Sequence, residues 1–491
     1  MARFSGISKQ ELYSWEFKRV LSSRRSHSEC DENATDTKQS SCVFETTPAY
    51  GIVSFTASIS ECCAMLNRLR DAWAAYRSVA IIYRIAVAFV LGSVCGLAVG
   101  APAAQLEPLG TLFVRLLKMI IIPVVVFTLL MGARQLSPTR IGKIGGEVIA
   151  LYLGTTAVAI AIGLLAGNLI NPGVGLEVAD AAVETTQAPD LGTVLMNVVP
   201  TNPIGAMANG DVLPTIFFTI ALGISFAILQ DEFEPGTPVH DGAQAVFKIA
   251  EAGSEAMFNV VWGVMEYGVI GVFALMATTF GEAGVDAILP FAKLIGALAL
   301  AVVLHIGVTY LFVIQWGLLR ESPRAFLAGA KEAMVTALSI RSSSGTLPVT
   351  MNNADENFGI DEEVYSFSLP LGATINMDGT AMYQGVAAIF AANLVGQTLT
   401  LAEQATVIVT ALLASVGTAG VPGSGLIMLT LVLTQLGLPL EVVGMVAGVD
   451  PILDRLRTMN NVTGDLAVTT LVADWNDRID RENTVWERTD D

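Results

Sequence analysis

Long apolar runs alternate with short polar gaps along most of this chain. Runs of membrane-spanning length lie at about residues 79–101, 108–132, 147–170, 212–230, 257–280 and 286–319. About 20 apolar residues cross a hydrocarbon core of ~30 Å as a helix, so each run predicts a transmembrane helix. Past residue 320 the pattern changes. Two segments are apolar on either side of a polar, glycine-rich break. The first runs 325–340, breaks at 341–346 and resumes over 347–351; the second runs 402–415, breaks at 416–425 and resumes over 426–437. These arms are too short to span the core, which predicts two re-entrant helical hairpins. Non-helical backbone at membrane depth is tolerated only where it lines a cavity or is buried in protein. The two tips therefore mark a candidate binding site, as paired interrupted segments do in transporters.

Two further stretches carry polar groups into apolar surroundings. Between the hairpins, residues 368–380 place Asn376, Asp378 and Thr380 in an otherwise hydrophobic helix. An unwound turn there would free the carbonyls of Gly372, Thr374 and Asn376, and carbonyls with a carboxylate make a hard-oxygen cation site. A plain helix kink would not call for Asp378. Residues 450–465 hold five charged side chains, Asp450, Asp454, Arg455, Arg457 and Asp465, between apolar segments. A charge at the bilayer centre costs roughly 2.5–3.5 kcal/mol on insertion scales, so these groups must face protein, water or a ligand. Asp454, Arg457, Thr458, Asn461 and Asp465 recur at spacings of three or four, which places most of them on one helical face. A face of both signs suits a ligand of both signs, together with cations.

Composition sharpens the class. The chain has 491 residues, 53% hydrophobic and 15% charged, with mean hydropathy +0.59; a soluble domain carries about 25% charged residues. The reading is a polytopic membrane protein. Residues 1–64 are nearly neutral, so the rest of the chain carries almost all of the net charge of −18. That acid surplus suits an origin in a salt-rich cell, and also an ordinary acidic surface. Cys30, Cys42, Cys62 and Cys63 crowd into residues 1–64, and Cys95 stands alone beyond them. His27, His240 and His305 are far apart, so no zinc spacing is present. Residues 1–64 are read as a disordered extension, or as the product of a start codon placed upstream of Met65. Arg68, Arg70 and Arg77 before the first run predict a cytoplasmic N-terminus, and Arg478, Arg481 and Arg488 a cytoplasmic C-terminus. The acidic stretch 231–241 departs from that rule.

Four motifs, RSSSGTLPVT (341–350), ATINMDGT (373–380), SVGTAGVPGSG (415–425) and the charged face at 450–465, resemble the dicarboxylate/amino acid:cation symporter family of glutamate-transporter relatives. The resemblance is nearest to archaeal sodium-coupled aspartate transporters and runs from about 80 to 472. It takes in Phe113 to Met119 and Tyr152 to Thr156. It implies an all-α polytopic membrane protein of eight transmembrane helices and two re-entrant hairpins, built as inverted repeats and working as an elevator. It divides the chain into an extension (1–64), a symporter domain (65–472) and a cytoplasmic tail (473–491). Within the symporter domain it implies a scaffold at about 79–134 and 191–280 and a mobile transport domain at about 146–171 and 285–472. A homotrimer in the cell membrane, among lipids, is implied as well.

The resemblance also assigns roles. Arg457 matches the partner of a substrate side-chain carboxylate, and Asp454 the acceptor of its ammonium group. Thr458, Asn461, Thr380 and Ser343 match further polar contacts, Val421 and Gly425 match tip contacts, and Arg341 fits a gate or electrostatic partner better than a direct ligand. Three sodium groups are implied. One holds Gly372, Asn376, Asn461 and Asp465. A second uses backbone at Thr374, Ser415, Val416 and Thr418. The third holds Tyr152, Thr155, Thr156, Asn376 and Asp378, where Thr155 could instead bond its own helix. Arg457 favours an acidic substrate and Asp454 an amino group, which together imply aspartate or glutamate. Gln384 stands where potassium-coupled relatives place a glutamate. The expectation is a sodium-driven symporter, with sodium as co-transported ligand, no cofactor, no enzymatic activity and no nucleic-acid partner. The nearest alternative is a proton- or sodium-coupled C4-dicarboxylate carrier. A passive anion channel, or a serine hydrolase built on Gly423-Ser424-Gly425 and His305, is further off.

Overall fold

The helices form where the apolar runs predict them, and their boundaries explain how polar residues enter the interior. The computed structural model describes residues 75–134, 138–176, 196, 198–415, 420, 423–482 and 484–486, with the side chains of 82 and 138–141 outside that description. Among these residues the secondary structure is helical, apart from one isolated antiparallel bridge between Ile360 and Ile479.

Helix α1 (Ile81–Val99) is followed by a 3-10 turn (Ala101–Leu106) and α2 (Glu107–Ala133). Helix α3 (Pro138–Ile170) contains a non-helical residue, Gly142. Short α4 (Pro203–Asn209), α5 (Val212–Glu232) and α6 (Pro238–Ala283) come next. The sequence pattern predicted only 257–280 for α6. Its true start is set by Thr237, whose Oγ1 accepts the His240 N–H at 3.4 Å, and its first turns are too polar to register as an apolar run. Helices α1 and α6 approach closely, because a Cβ on Gly92 or Gly96 would collide with the Phe273 or Ala277 carbonyl oxygen. Helix α7 (Ile288–Leu304) continues as a π-helix (His305–Leu319) that ends at Arg320. Among the described residues, four helical stretches, Ala101–Ala133, Gly142–Ile170, Val212–Glu232 and Pro238–Leu319, are long and apolar enough to cross a membrane.

Beyond residue 320 the breaks are narrower than the sequence suggested. Helices α8 (Pro323–Ile340) and α9 (Ser343–Asn352) are separated only by Arg341 and Ser342. Ser342 Oγ accepts the Gly345 N–H at 3.0 Å, so the cap restarts the helix at Ser343 and the expected break at 341–346 shrinks to two residues. Helices α10 (Glu362–Ile375) and α11 (Asp378–Leu394) flank Asn376 and Met377 alone. The Gly372 carbonyl is not freed by unwinding: it accepts the Asn376 N–H at 2.9 Å, which leaves it one lone pair. Helices α12 (Leu401–Ser415) and α13 (Ser424–Gln435) form the second hairpin, and Ser424 and Gly425, expected in its break, are helical. Short α14 (Glu441–Ala447) leads into α15 (Asp450–Trp475). Helices α11 and α15 are buried along almost their whole length. They pack against each other and against α7 and α3, with α10 also on α15. A helix that is polar in sequence and buried in structure must meet its partners inside the protein.

Candidate functional site

Two clusters of buried polar groups lie along α15. The first is built around Arg457, which is 1% exposed. Its Nη2 donates to Asp450 Oδ1 and to Asp454 Oδ1, both at 2.8 Å. Its guanidinium lies 4.3 Å from the centre of the Tyr383 ring, on α11. Gly425 lies against the guanidinium, where a Cβ would stand 2.5 Å from Nη1. Among the described residues, Arg457 Nε and Nη1, Asp450 Oδ2 and Asp454 Oδ2 are buried without a protein hydrogen bond. Buried charged groups normally fill their hydrogen-bonding capacity, so this cluster has donors and acceptors left over for a ligand. Thr458 Oγ1 instead donates to the Asp454 carbonyl at 2.8 Å. Arg341 ends α8 with φ 56, is buried, and lies 5.7 Å from the Tyr83 ring.

The second cluster holds two buried carboxylates on neutral donors. Asp378, 0% exposed, accepts from the hydroxyls of Thr156 and Tyr310, the latter at 2.6 Å. Asp465, 2% exposed, accepts from Asn376 Nδ2 at 2.9 Å. Gly372 and Tyr152 stand beside it, since a Cβ on Gly372 would lie 2.5 Å from Asp465 Oδ1 and 2.7 Å from the Tyr152 hydroxyl. Asn461 links the clusters: its Oδ1 accepts the Gly379 N–H at 2.7 Å and its Nδ2 donates to Thr380 Oγ1 at 3.4 Å. Thr155 Oγ1 lies 3.1 Å from the Tyr152 carbonyl and 3.3 Å from Asn376 Oδ1. Both the local bond and the cross-helix contact expected for it are within reach, though one hydroxyl proton serves one of them at a time. Among the described residues neither Asp378 nor Asp465 forms an ion pair. An uncompensated buried carboxylate costs several kcal/mol, and carboxylate, amide, hydroxyl and carbonyl oxygens are the donors hard cations take. No group of three or more His, Cys, Asp or Glu suited to a metal occurs among the described residues.

The hairpin tips meet beside these clusters. The Gly420 carbonyl accepts from Ser342 Oγ at 2.6 Å and from the Ser344 N–H at 3.2 Å. Ser343, the first residue of α9, is buried. Thr374 and Ser415 donate their hydroxyls to the Leu371 and Leu412 carbonyls at 3.0 and 2.7 Å. Val416, Thr418 and Val421 lie outside the described residues. Asp450, Tyr383, Tyr310 and Gln384 enter the site without having been singled out for it. Asp450 carried a signal, because 450, 454 and 457 share one helical face. The tyrosines lie in apolar runs, where periodicity makes them look like core. Gln384 donates to the Gly425 carbonyl at 3.1 Å. His305 faces Asn460 Oδ1 at 3.4 Å and the Tyr310 ring.

Comparison with known proteins bears on this geometry. The profile described as "Sodium:dicarboxylate symporter family" matches residues 81–475. The "Proton/sodium-glutamate symport protein" of Geobacillus stearothermophilus is 32% identical over 423 residues, covering 83% of this chain and 97% of that protein. The "Proton/glutamate-aspartate symporter" of Escherichia coli (strain K12) is 32% identical over 398 residues, covering 77% and 87%. The "C4-dicarboxylate transport protein" of Rhodospirillum rubrum is 31% identical over 414 residues, covering 82% and 90%.

Proposed function

The chain belongs to the sodium:dicarboxylate symporter family, and from that premise we propose that it carries aspartate or glutamate with sodium ions by an elevator mechanism. As a member of that family it is a multi-pass membrane transporter of dicarboxylates or acidic amino acids. The observation that carries the finer reading is the Arg457 cluster. One arginine with two unfilled N–H edges suits a substrate side-chain carboxylate. The unfilled oxygens of Asp454 and Asp450 suit an ammonium group. A C4-dicarboxylate has no ammonium, so two carboxylates beside its binding arginine would repel it.

In this reading Asp378, Asp465, Asn376 and the Tyr152–Thr156 turn hold sodium, with backbone at Thr374 and at the second tip, Ser415, Val416 and Thr418. Ser343, Thr380, Val421, Gly425, Thr458 and Asn461 complete the substrate contacts, with Arg341 as a gate or electrostatic partner. Eight transmembrane helices and two hairpins, inverted repeats, a homotrimer, cytoplasmic termini and a salt-rich source cell belong to the same proposal. So does the division into a scaffold and a moving domain. The energetics are sufficient: three sodium ions entering with one anionic substrate, down tenfold gradients and 100 mV, supply roughly 9 kcal/mol. That supports more than about a millionfold accumulation.

The test is uptake into proteoliposomes with imposed gradients, with aspartate, glutamate, succinate and serine as competitors. Sodium-driven aspartate uptake, blocked by glutamate and not by succinate, is expected. Succinate uptake of equal rate, or uptake indifferent to sodium, overturns the reading.

A further inference from the structure

Helix α1 is fastened to α6 and is also touched by the helices that carry the site. Arg84 pairs with Glu266 of α6 through two hydrogen bonds, at 2.7 and 2.9 Å, and Gly92 and Gly96 bring the two helices close. Tyr83, one residue earlier, meets the site-bearing helices instead. Its hydroxyl oxygen accepts from Arg455 Nη2, on α15, at 2.9 Å. Its ring lies 5.7 Å from the Arg341 guanidinium and 5.9 Å from that of Arg455, both within the range at which a ring attracts a cation. One tyrosine therefore holds the end of α8 and the start of α15 together.

Arg341 needs such a partner. It is 8% exposed, and among the described residues its Nε and Nη1 are buried without a hydrogen bond, where buried charged groups normally fill their capacity. The nearest other bond of Arg455 is local, from Nη1 to the Pro451 carbonyl of its own helix. The face of α1 beyond Tyr83 offers no substitute. Val87, Val90, Val94 and Leu97 follow it at helical spacing and are exposed, with neither ring nor hydroxyl. An arginine carried along that face exchanges the tyrosine for aliphatic side chains that cannot hold a cation. The remaining contacts of α1 with the site-bearing helices are apolar. Phe89 packs on Phe291 of α7 at 5.3 Å and against Gly448, just before α15. Apolar contact is non-directional, so Tyr83 supplies the position-specific hold.

We propose that Tyr83 is a latch between α1 and the site-bearing helices, which sets how much of the time Arg341, Arg455 and the clusters beside them spend at the N-terminal end of α1. The latch rests on the elevator reading, in which those helices move along the scaffold. With the N-terminus in the cytoplasm, the latched arrangement is the one that faces inward.

Disulfide cross-linking of the full chain in a lipid bilayer tests this. The five native cysteines are replaced by serine, and one pair is introduced, Phe89→Cys with Gly448→Cys. A Cβ on Gly448 would lie 2.6 Å from that of Phe89, so a small adjustment gives the roughly 3.8 Å a disulfide takes. A slide of one helical turn, about 5.4 Å, takes the pair out of reach. The rate of cross-linking by copper phenanthroline is expected to fall at least about threefold in Tyr83→Ala, and about twofold in Tyr83→Phe, which keeps the ring and loses the hydrogen bond. Arg455→Gln slows it as well, and adding Tyr83→Phe to Arg455→Gln slows it no further, because the two residues act through one bond. An unchanged rate in Tyr83→Ala, or additive effects of Tyr83→Phe and Arg455→Gln, overturns the latch. The readout uses neither gradient nor substrate. Its failure therefore leaves the substrate and sodium reading intact, and uptake that favours succinate leaves the latch intact.

Discussion

Arg457 bonds two carboxylates through a single nitrogen, Nη2, and among the described residues its Nε and Nη1 edges have no protein hydrogen bond. That division of labour fixes the arginine and leaves it able to bind. Replacing it with cysteine, Arg457→Cys, removes the anion partner and leaves Asp450 and Asp454 buried together. Aspartate affinity is expected to fall by more than about a hundredfold, the equivalent of roughly 3 kcal/mol for charge-assisted hydrogen bonds. Isothermal titration in saturating sodium measures it, and an unchanged affinity removes Arg457 from the site. Asp378 and Asp465 are a different case, because among the described residues only neutral donors hydrogen-bond to them. Asp378→Asn and Asp465→Asn remove the charge a sodium ion would neutralise. The sodium concentration for half-maximal binding should rise at least about tenfold in each, and less in Arg457→Cys. A sodium titration of substrate binding in the three variants ranks them; a larger shift in Arg457→Cys contradicts the assignment.

At the scale of elements, the first hairpin holds the tip of the second. Ser342 has two jobs: its hydroxyl oxygen accepts the Gly345 N–H to start α9, and its proton goes to the Gly420 carbonyl. Ser342→Ala therefore loses a helix cap, worth about 1 kcal/mol, and one of the two bonds that join the tips among the described residues. The remaining bond, from the Ser344 N–H, should open more often. Exchange at the Ser344 amide should quicken by about tenfold while the α11 and α15 amides stay protected. Uniform loss of protection would mean that the serine supports the fold rather than the closure of the tips. The narrow breaks matter here. At the first hairpin and between α10 and α11, where only Arg341–Ser342 and Asn376–Met377 are out of helix, helix ends deliver backbone to the site, and that makes those positions stiff.

For the whole molecule, the family match at 81–475 begins well after residue 64. Deleting residues 1–64 is expected to leave membrane insertion, thermal stability and sodium-driven uptake within about twofold of the full chain, since no apolar span is lost. Uptake abolished in a variant that inserts normally would assign a function to that segment.

The sequence by itself determined the class, the order of the elements and most of the chemistry. Apolar runs near 20 residues read directly as helices, because the bilayer imposes that length. Charges at 450–465 read directly as a site, because lipid cannot hold them. Contact between residues far apart in the chain had to come from the fold. No spacing shows that Tyr310 reaches Asp378, 68 residues away, or that Asn376 reaches Asp465, 89 residues away. Nor does periodicity separate Tyr383, stacked on Arg457, from the apolar residues around it, because a tyrosine pointing at a guanidinium and one packed in a core have the same pattern. The breaks were overestimated for a related reason. Glycine, serine and threonine look like loop in composition, yet Ser342 caps a helix that runs straight through Ser343, Ser344 and Gly345. Burial and packing select which polar residues end a helix and which face inward from it, and that selection belongs to the tertiary structure.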